Sequence, residues 1–234
     1  MTRTLKALAA VALFAAAGAP VAQAEAGDSP WMVRGRLLGV YPDESGDLST
    51  GGNPLSGDVE IDTGYVPELD ISYFITDNFA LELILAVTPH DVKATQVVVP
   101  TVGTLNVDLG DVWLLPPTLT AQYHFTQFGK FKPYVGAGLN YTLFFNEDEG
   151  PVADGIDYDP SFGGALQVGF DYDLDGRKGG WALNADIKKV WINSDVSVNL
   201  TSALGPALGA NRVIVDADVD INPWIVGVGA GYRF

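Results

Sequence analysis

The chain has 234 residues, of which 47% are hydrophobic and 18% charged, and it carries a formal charge of −16 and no cysteine. Without cysteine, folds stapled by disulfides and sites built on thiolates are excluded. The acidic balance argues against a nucleic-acid partner, because binding a phosphate backbone needs clustered Lys and Arg. The high apolar fraction argues against disorder, so a folded protein is expected.

The first 24 residues have the three parts of a secretory signal peptide. Arg3 and Lys6 precede an apolar stretch over 7–17, and Gly18, Pro20 and the small-x-small ending Ala22-Gln23-Ala24 follow. The stretch is too short for a bilayer crossing, which needs roughly 20 residues, and no later stretch is long enough. We therefore expect a cleaved leader over 1–24, an exported domain over 25–234, and either a soluble periplasmic protein or an outer-membrane barrel.

Apolar residues alternate with small or polar ones through the rest of the chain, most clearly over 224–234, WIVGVGAGYRF. The even positions run from Trp224 through Val226, Val228 and Ala230 to Tyr232 and Phe234, whereas the odd positions include three glycines and Arg233. Such a strand, tilted as in a barrel, spans roughly the 25 Å apolar band of an outer membrane, with aromatic residues at both edges. A soluble barrel would place its apolar face inside.

Eight segments show this alternation to differing degrees. They lie at about 31–41, 59–75, 79–91, 111–125, 133–145, 162–174, 181–197 and 224–234. Short turns at 76–78, 127–130 and 175–180 alternate with long connections around 42–58, 92–110, 146–160 and 198–211. The pattern predicts an all-β fold: an eight-stranded antiparallel transmembrane β-barrel with short periplasmic turns, long extracellular loops and both termini in the periplasm.

Several sequence blocks, spread in order over the mature chain, match a known family. They include Met32-Val33-Arg34-Gly35, Thr76-Asp77-Asn78, Leu115-Pro116-Pro117-Thr118-Leu119, Phe131-Lys132-Pro133-Tyr134-Val135-Gly136-Ala137-Gly138 and the closing Gly231-Tyr232-Arg233-Phe234. By these blocks the chain resembles the OmpW family of outer-membrane proteins. The resemblance implies a monomeric eight-stranded barrel that passes small hydrophobic compounds across the outer membrane. Some relatives are linked to alkane or aromatic uptake and others to stress responses, so the resemblance does not name the solute.

A barrel of about eight strands can be filled by its own side chains, so a wide aqueous pore is not expected. Strand parity places a set of charged and polar residues inside the periplasmic half of the lumen. We expect them to pair into a polar plug, because an unpaired buried charge is costly. The set is Arg34, Arg36, Glu68, Asp70, Glu82, Gln122, His124, Asp171, Asp173, Asp186, Lys188 and Arg233.

Nearer the outer surface the residues expected to face inward become apolar and would prefer an apolar guest to water. They are Leu38, Val66, Ile84, Trp113, Phe144, Val190 and Ile192. Val213, Val215, Val219 and Ile221 extend the same pattern above the bilayer, with Asp216, Asp218 and Asp220 on the opposite face.

These two sets lead to a transport hypothesis and to an alternative from another class. In the first, a small hydrophobic solute dwells in the apolar upper lumen, cannot pass the plug, and leaves sideways into the bilayer where Pro67, Pro89, Pro116 and Pro117 weaken the ladder. In the alternative, the apolar residues only pack the lumen, and the barrel is a structural or stress-response protein that presents acidic loops. No enzymatic activity is expected.

The remaining expectations concern partners. Tyr232 and C-terminal Phe234 resemble the signal by which the barrel assembly machinery recognises outer-membrane proteins, although an ordinary last strand would look the same. His90 and His124 stand at no metal-ligand spacing, so we expect neither a metal nor a cofactor. The expected surroundings are outer-membrane lipid and lipopolysaccharide, which acidic loops could bridge through divalent cations.

Overall fold

The computed structural model describes residues 29–99, 103–175 and 179–234. The expected leader lies outside this described part of the chain. In chain order the strands are β1 (Trp31–Tyr41), β2 (Ser45–Thr50), β3 (Asn53–Leu55), β4 (Asp58–Ile61), β5 (Gly64–Phe74), β6 (Phe79–Ala86), β7 (Thr88–Val99), β8 (Gly103–Leu115), β9 (Thr118–His124), β10 (Phe131–Glu149), β11 (Gly155–Tyr158), β12 (Ser161–Asp173), β13 (Gly180–Val190), β14 (Asn193–Asn199), β15 (Ile214–Asp220) and β16 (Trp224–Arg233). A 3₁₀ turn spans Thr126–Phe128, and a helix, α1, spans Thr201–Leu208.

Eight of these strands close into an antiparallel barrel. Its order is β1-β5-β6-β9-β10-β12-β13-β16, and β16 pairs back with β1. Closure leaves no sheet edge in the hydrocarbon, so the ladders satisfy the backbone groups that lipid cannot. The predicted fold class and strand number are confirmed. No helix among the described residues is long and apolar enough to cross a membrane.

The outer face of the barrel carries an apolar band between two aromatic rings. At the periplasmic edge Trp31 lies 4.8 Å from Tyr73 and Phe79 lies 5.0 Å from Tyr123, measured between ring centroids. Exposed leucines and valines such as Leu139 fill the band, and the second ring, at the outer edge, contains Tyr41, Phe162, Trp191 and Trp224. This arrangement is that of an outer-membrane barrel.

The long connections expected as external loops are largely strands. β2, β3, β11, β14 and β15 form one five-stranded sheet, and β4, β7 and β8 continue the sheet that contains β10. The alternation persists in these segments: Val196 and Val198 are buried while Asp195 and Ser197 are exposed. The sequence predicts loops in these segments because the aspartates and serines on their outer face are residues typical of loops. The two sheets extend the barrel wall outward and enclose the largest apolar core of the molecule.

Candidate functional site

The periplasmic half of the lumen is closed by a network centred on two arginines. Arg34 is fully buried; its Nη1 lies 2.8 Å from Glu82 and 2.6 Å from Ser72, and its Nη2 lies 2.7 Å from Asp171. Glu82 is on β6 and Asp171 is on β12, so one guanidinium ties opposite sides of the barrel together. Arginine suits this position because its planar fork carries five donors.

The second arginine lies one layer nearer the outer surface. Arg36 is 2.6 Å from a carboxylate oxygen of each of Glu68, Asp70 and Asp186. Lys188 Nζ lies 2.7 and 2.9 Å from the two oxygens of Glu68. Strand pleating places these groups together, because Arg34 and Arg36 stand directly opposite Asp70 and Glu68 in the β1–β5 ladder.

Amide side chains link the two layers. Gln122 Nε2 donates to Glu82 at 2.6 Å and to Gln167 at 2.9 Å, and Gln167 Nε2 donates to Asp186 at 2.6 Å. Asn184 Nδ2 donates to Asp171 at 2.9 Å. Sequence reasoning did not assign Gln167 or Asn184 to the plug, although both have the inward parity of residues that it did assign.

All the residues expected in the plug except Asp173 and Arg233 are buried in this network or against it. His124 lies on its lower side, with Nε2 3.0 Å from Gln122 Oε1. Arg233 is only half-buried; its guanidinium lies 3.8 Å from the ring centroid of Phe74. Arg233 and Asp173 line the periplasmic mouth rather than the centre, because their strands end there, and Asp173 forms an ion pair with Lys132.

Above the barrel, the two extended sheets enclose an outer chamber of about 240 Å³. Its lining is almost entirely aliphatic, with Val196, Val213 and Leu109 among the residues of the wall, and the polar groups in it include His90, Ser194 and Thr50. Phe144 and Tyr158 add a stacked aromatic pair, with centroids 5.3 Å apart and ring planes 13° from parallel. Such a lining favours an apolar guest over water.

Helix α1 covers this chamber at the cell surface. Leu204 and Leu208 face the chamber, and the backbone N–H of Ser202 donates to Asp154 Oδ2 at 2.7 Å. This hydrogen bond, made to the charged form, lowers the pKa of Asp154 below its ordinary value. The helix is thereby fixed to the connection that precedes β11.

A smaller inner chamber of about 40 Å³ lies between the outer chamber and the plug. His90, Leu114 and Ile221 line both chambers, so the two share a wall. The floor of the inner chamber is formed by Glu68 and Lys188 of the plug. The lumen thus changes from aliphatic to charged across one layer of side chains.

The residues expected in the apolar lumen mostly line these two chambers. Leu38, Ile84, Val190 and Ile192 line the inner one, and Phe144 lines the outer one. Val66 is buried beside Leu38. Val213, Val215, Val219 and Ile221 line the outer chamber.

The placement of Trp113 inside the lumen was wrong. Its ring is half-buried and lies 6.1 Å from that of Phe145, whose side chain is exposed. Val112 and Leu114 face the outer chamber instead. The even positions face inward on both sides of Pro116-Pro117, from Val112 to His124, so this pair of prolines does not reverse the parity.

The hydrogen-bond ladder of the barrel wall is interrupted beside the inner chamber, between β5 and the start of β7. The β5–β6 ladder ends at the pair Glu68–Ala86, and pairing resumes between β4 and β7 at Ile61–Val92. Within this described region no ladder pair joins residues 62–67 to 87–91. His90 Nδ1 reaches across the gap to the carbonyl oxygen of Asp62 at 3.1 Å, and Pro67 and Pro89 lie beside it.

Among the described residues, no group of three His, Asp or Glu side chains is placed to hold a metal ion.

Comparison with known proteins agrees with this architecture. The model of the OmpW family matches residues 25–234. The chain belongs to the OmpW family. It is 46% identical over 209 residues to an uncharacterized outer-membrane protein, y4mB, of Sinorhizobium fredii, covering 89% of this chain and 82% of that protein. The OmpW-family barrel is accordingly an outer-membrane protein that sits in the lipid bilayer.

Two further relatives bear on this OmpW-family barrel. The crystal structure of the outer membrane protein OprG from Pseudomonas aeruginosa is similar with a TM-score of 0.77 and 30% identity, covering 89% of this chain and 98% of that one. The dibenzothiophene metabolism operon protein PahQ of Pseudomonas aeruginosa is 28% identical over 209 residues, covering 88% of this chain and 90% of that protein. Of these relatives, y4mB and OprG are named as outer-membrane proteins.

Proposed function

We propose that this OmpW-family barrel passes small hydrophobic molecules from the cell surface into the outer membrane. The observation that carries the proposal is the aliphatic outer chamber of about 240 Å³, which shares a wall with an inner chamber whose floor is a charged pair. An apolar solute gains free energy by leaving water for such a chamber, at roughly 25 cal/mol per Å² of apolar surface buried.

The plug supports a sideways exit from the inner chamber. Arg36, Lys188 and their carboxylate partners are buried and ion-paired. A solute descending toward the periplasm would have to separate these pairs and leave charges buried without partners, which is strongly unfavourable. The solute therefore stops above the plug.

The interrupted wall between β5 and β7 supplies the exit. Ala86, Thr88 and His90 line the inner chamber at this gap, and the outward side chain of Tyr65 beside it is 70% exposed. Few backbone hydrogen bonds need to break for a solute to pass there, because the ladder is already absent. A relative named for a dibenzothiophene metabolism operon supports an aromatic or similarly hydrophobic solute.

The first test compares uptake of a labelled hydrophobic solute and a hydrophilic solute of similar size. It uses cells that lack the protein and cells complemented with it. Faster uptake of only the hydrophobic solute on complementation is expected. No difference over a panel of solutes would overturn the conduit and favour the structural barrel with an inert, packed lumen.

A second test places a charge in the outer chamber. Phe144→Asp should reduce hydrophobic uptake at least about tenfold, because a charged wall disfavours an apolar guest, while the folded barrel is retained. Phe144→Leu is the matched control and should keep uptake near that of the wild type. Normal uptake in a folded Phe144→Asp barrel would contradict the route.

A third test closes the gap in the wall. The chain has no cysteine, and a Cβ added at Gly64 would lie 3.9 Å from Cε1 of His90. Gly64→Cys with His90→Cys, bridged by a short bifunctional thiol reagent, should block uptake. The pair Val33→Cys with Ile71→Cys, directly opposite in an unbroken ladder, controls for crosslinking itself. Unchanged uptake in the crosslinked gap variant would exclude this exit.

A further inference from the structure

The walls of the outer chamber differ in charge between their two faces. Among the described residues, no Asp, Glu, Lys or Arg lines the chamber. The opposite face of the same sheet carries a row of aspartates, in which Asp195 stands opposite Asp218 and Asp218 stands opposite Asp47. All three side chains are exposed. One pleated layer therefore separates an apolar cavity from an anionic surface.

The described wall contains few cations that would offset these aspartates. The basic residues of the outer wall and its rim are Lys93, Lys189 and Arg212. Lys189 Nζ lies 2.9 Å from Asp43, and Lys93 lies 4.0 Å from Asp62. The whole chain has 29 acidic and 13 basic residues, and the imbalance at the outer end is larger still. A surface of one sign sets up a potential of several kT around the cavity that it encloses.

The floor of the inner chamber offers an arriving anion only a cation that is already paired. Its layer of the plug holds the carboxylates of Glu68, Asp70 and Asp186 against the cations of Arg36 and Lys188. Lys188 is the lysine in the lining of the inner chamber, and both oxygens of Glu68 already accept hydrogen bonds from it. An arriving anion would meet an ammonium group that is already hydrogen-bonded to Glu68, with further carboxylates behind it.

We infer that the two chambers select apolar solutes by charge: they admit uncharged molecules, tolerate apolar amines, and exclude carboxylates of the same chain length. The inference rests on the proposed function, since it names the class of solute that the conduit takes. Every ion loses hydration in an apolar cavity. The acidic outer wall offsets part of that loss for a cation and adds to it for an anion.

The test uses three probes of equal chain length: 1-octanol, octylammonium and octanoate. Each is titrated at about pH 7.5 by calorimetry into the full barrel in zwitterionic phospholipid nanodiscs, with empty discs subtracted. Octanol should bind most tightly, octylammonium less tightly, and octanoate at least about tenfold more weakly than octylammonium at low salt. Salt at about 0.5 M should bring the two ions closer together, because it screens the exposed aspartates.

A triple variant separates the surface charge from the cavity. Asp47→Asn, Asp195→Asn and Asp218→Asn together should raise octanoate affinity about threefold at low salt and leave octanol affinity unchanged. The matched control, Asp47→Glu, Asp195→Glu and Asp218→Glu, keeps the charge and should behave as the wild type.

The outcomes separate this inference from the proposed function. Equal rejection of octanoate and octylammonium would mean that desolvation alone selects, and it would overturn the charge filter while leaving the conduit intact. Octanoate binding as tightly as octanol would overturn it as well. Failure of octanol to bind above empty discs would overturn both proposals.

Discussion

Lys188 and Glu68 form a buried pair in which one ammonium group donates to both carboxylate oxygens, at 2.7 and 2.9 Å. Both side chains are only 2% exposed, and both line the inner chamber. The pair is thus the boundary at which the aliphatic lumen ends and the charged plug begins. Breaking the pair should lower the stability of the folded barrel, because both groups are buried among other charges.

Lys188→Met should destabilise the barrel by about 3–5 kcal/mol, because it leaves the buried Glu68 with one cation fewer. Lys188→Met combined with Glu68→Gln should recover most of this loss, since Arg36 keeps Asp70 and Asp186 as partners. Urea unfolding of the reconstituted barrel measures both variants. Lys93→Met, which removes an exposed ion pair, is the control and should cost less than about 1 kcal/mol. Equal effects at the two lysines would contradict the structural role of the plug.

Gly138 on β10 lies where the wall has no room for a side chain. A Cβ there would overlap the carbonyl oxygen of Leu119 and lie 2.7 Å from Cα of Thr120. Gly138→Ala should therefore destabilise the barrel by about 1–3 kcal/mol, measured by the same urea titration. Gly155→Ala, with nothing within 4 Å of the added Cβ, should be nearly neutral. A harmless Gly138→Ala would mean that β9 and β10 are less tightly held than the structure shows.

The hydrogen bond that holds helix α1 to Asp154 should depend on pH. Since this bond from the Ser202 N–H lowers the pKa of Asp154, its contribution is fully present above the ordinary aspartate pKa of about 3.9. It is lost as the pH falls through the lowered value in the folded protein. Hydrogen exchange of residues 201–208 should speed up over that acidic range in the wild type, beyond the intrinsic pH effect on exchange.

Asp154→Asn is the matched variant, because it removes the ionisable group and keeps the size and shape of the side chain. Its exchange in 201–208 should already be faster at neutral pH and should show no additional step in acid. Wild-type exchange that follows the variant at every pH would show that the carboxylate does not hold the helix.

The last residue should matter for assembly. Phe234 donates its backbone N–H to the carbonyl oxygen of Trp31 at 3.1 Å, and its ring lies 5.2 Å from that of Tyr232. Deleting Phe234 should lower the amount of folded barrel in the outer membrane severalfold, as measured by the heat-dependent shift of the barrel on gels. Phe234→Tyr, which keeps the terminal aromatic, should assemble normally. Assembly without loss after deletion would leave β16 as an ordinary last strand.

The amino-acid pattern was sufficient for the barrel and for much of its interior. Alternation over β1 and β5 assigned Arg34, Arg36, Glu68 and Asp70 to the lumen, and the structure buries all four. The same reasoning misplaced Trp113, because the inward face of this strand is formed by the even positions from Val112 to His124 and the odd position 113 lies on the other face.

The sequence by itself determined which face of each barrel strand meets lipid, because the pleat repeats every two residues and lipid demands an apolar side chain at each outward position. Tertiary structure decided which distant groups meet. Arg34 is paired with Asp171, 137 residues away, and β2, β14 and β15 are assembled into a chamber wall. It also decided where the ladder is interrupted, between β5 and β7. These features depend on strand register and on closure of the barrel, and neither is encoded in the local period of two that made the strands recognisable.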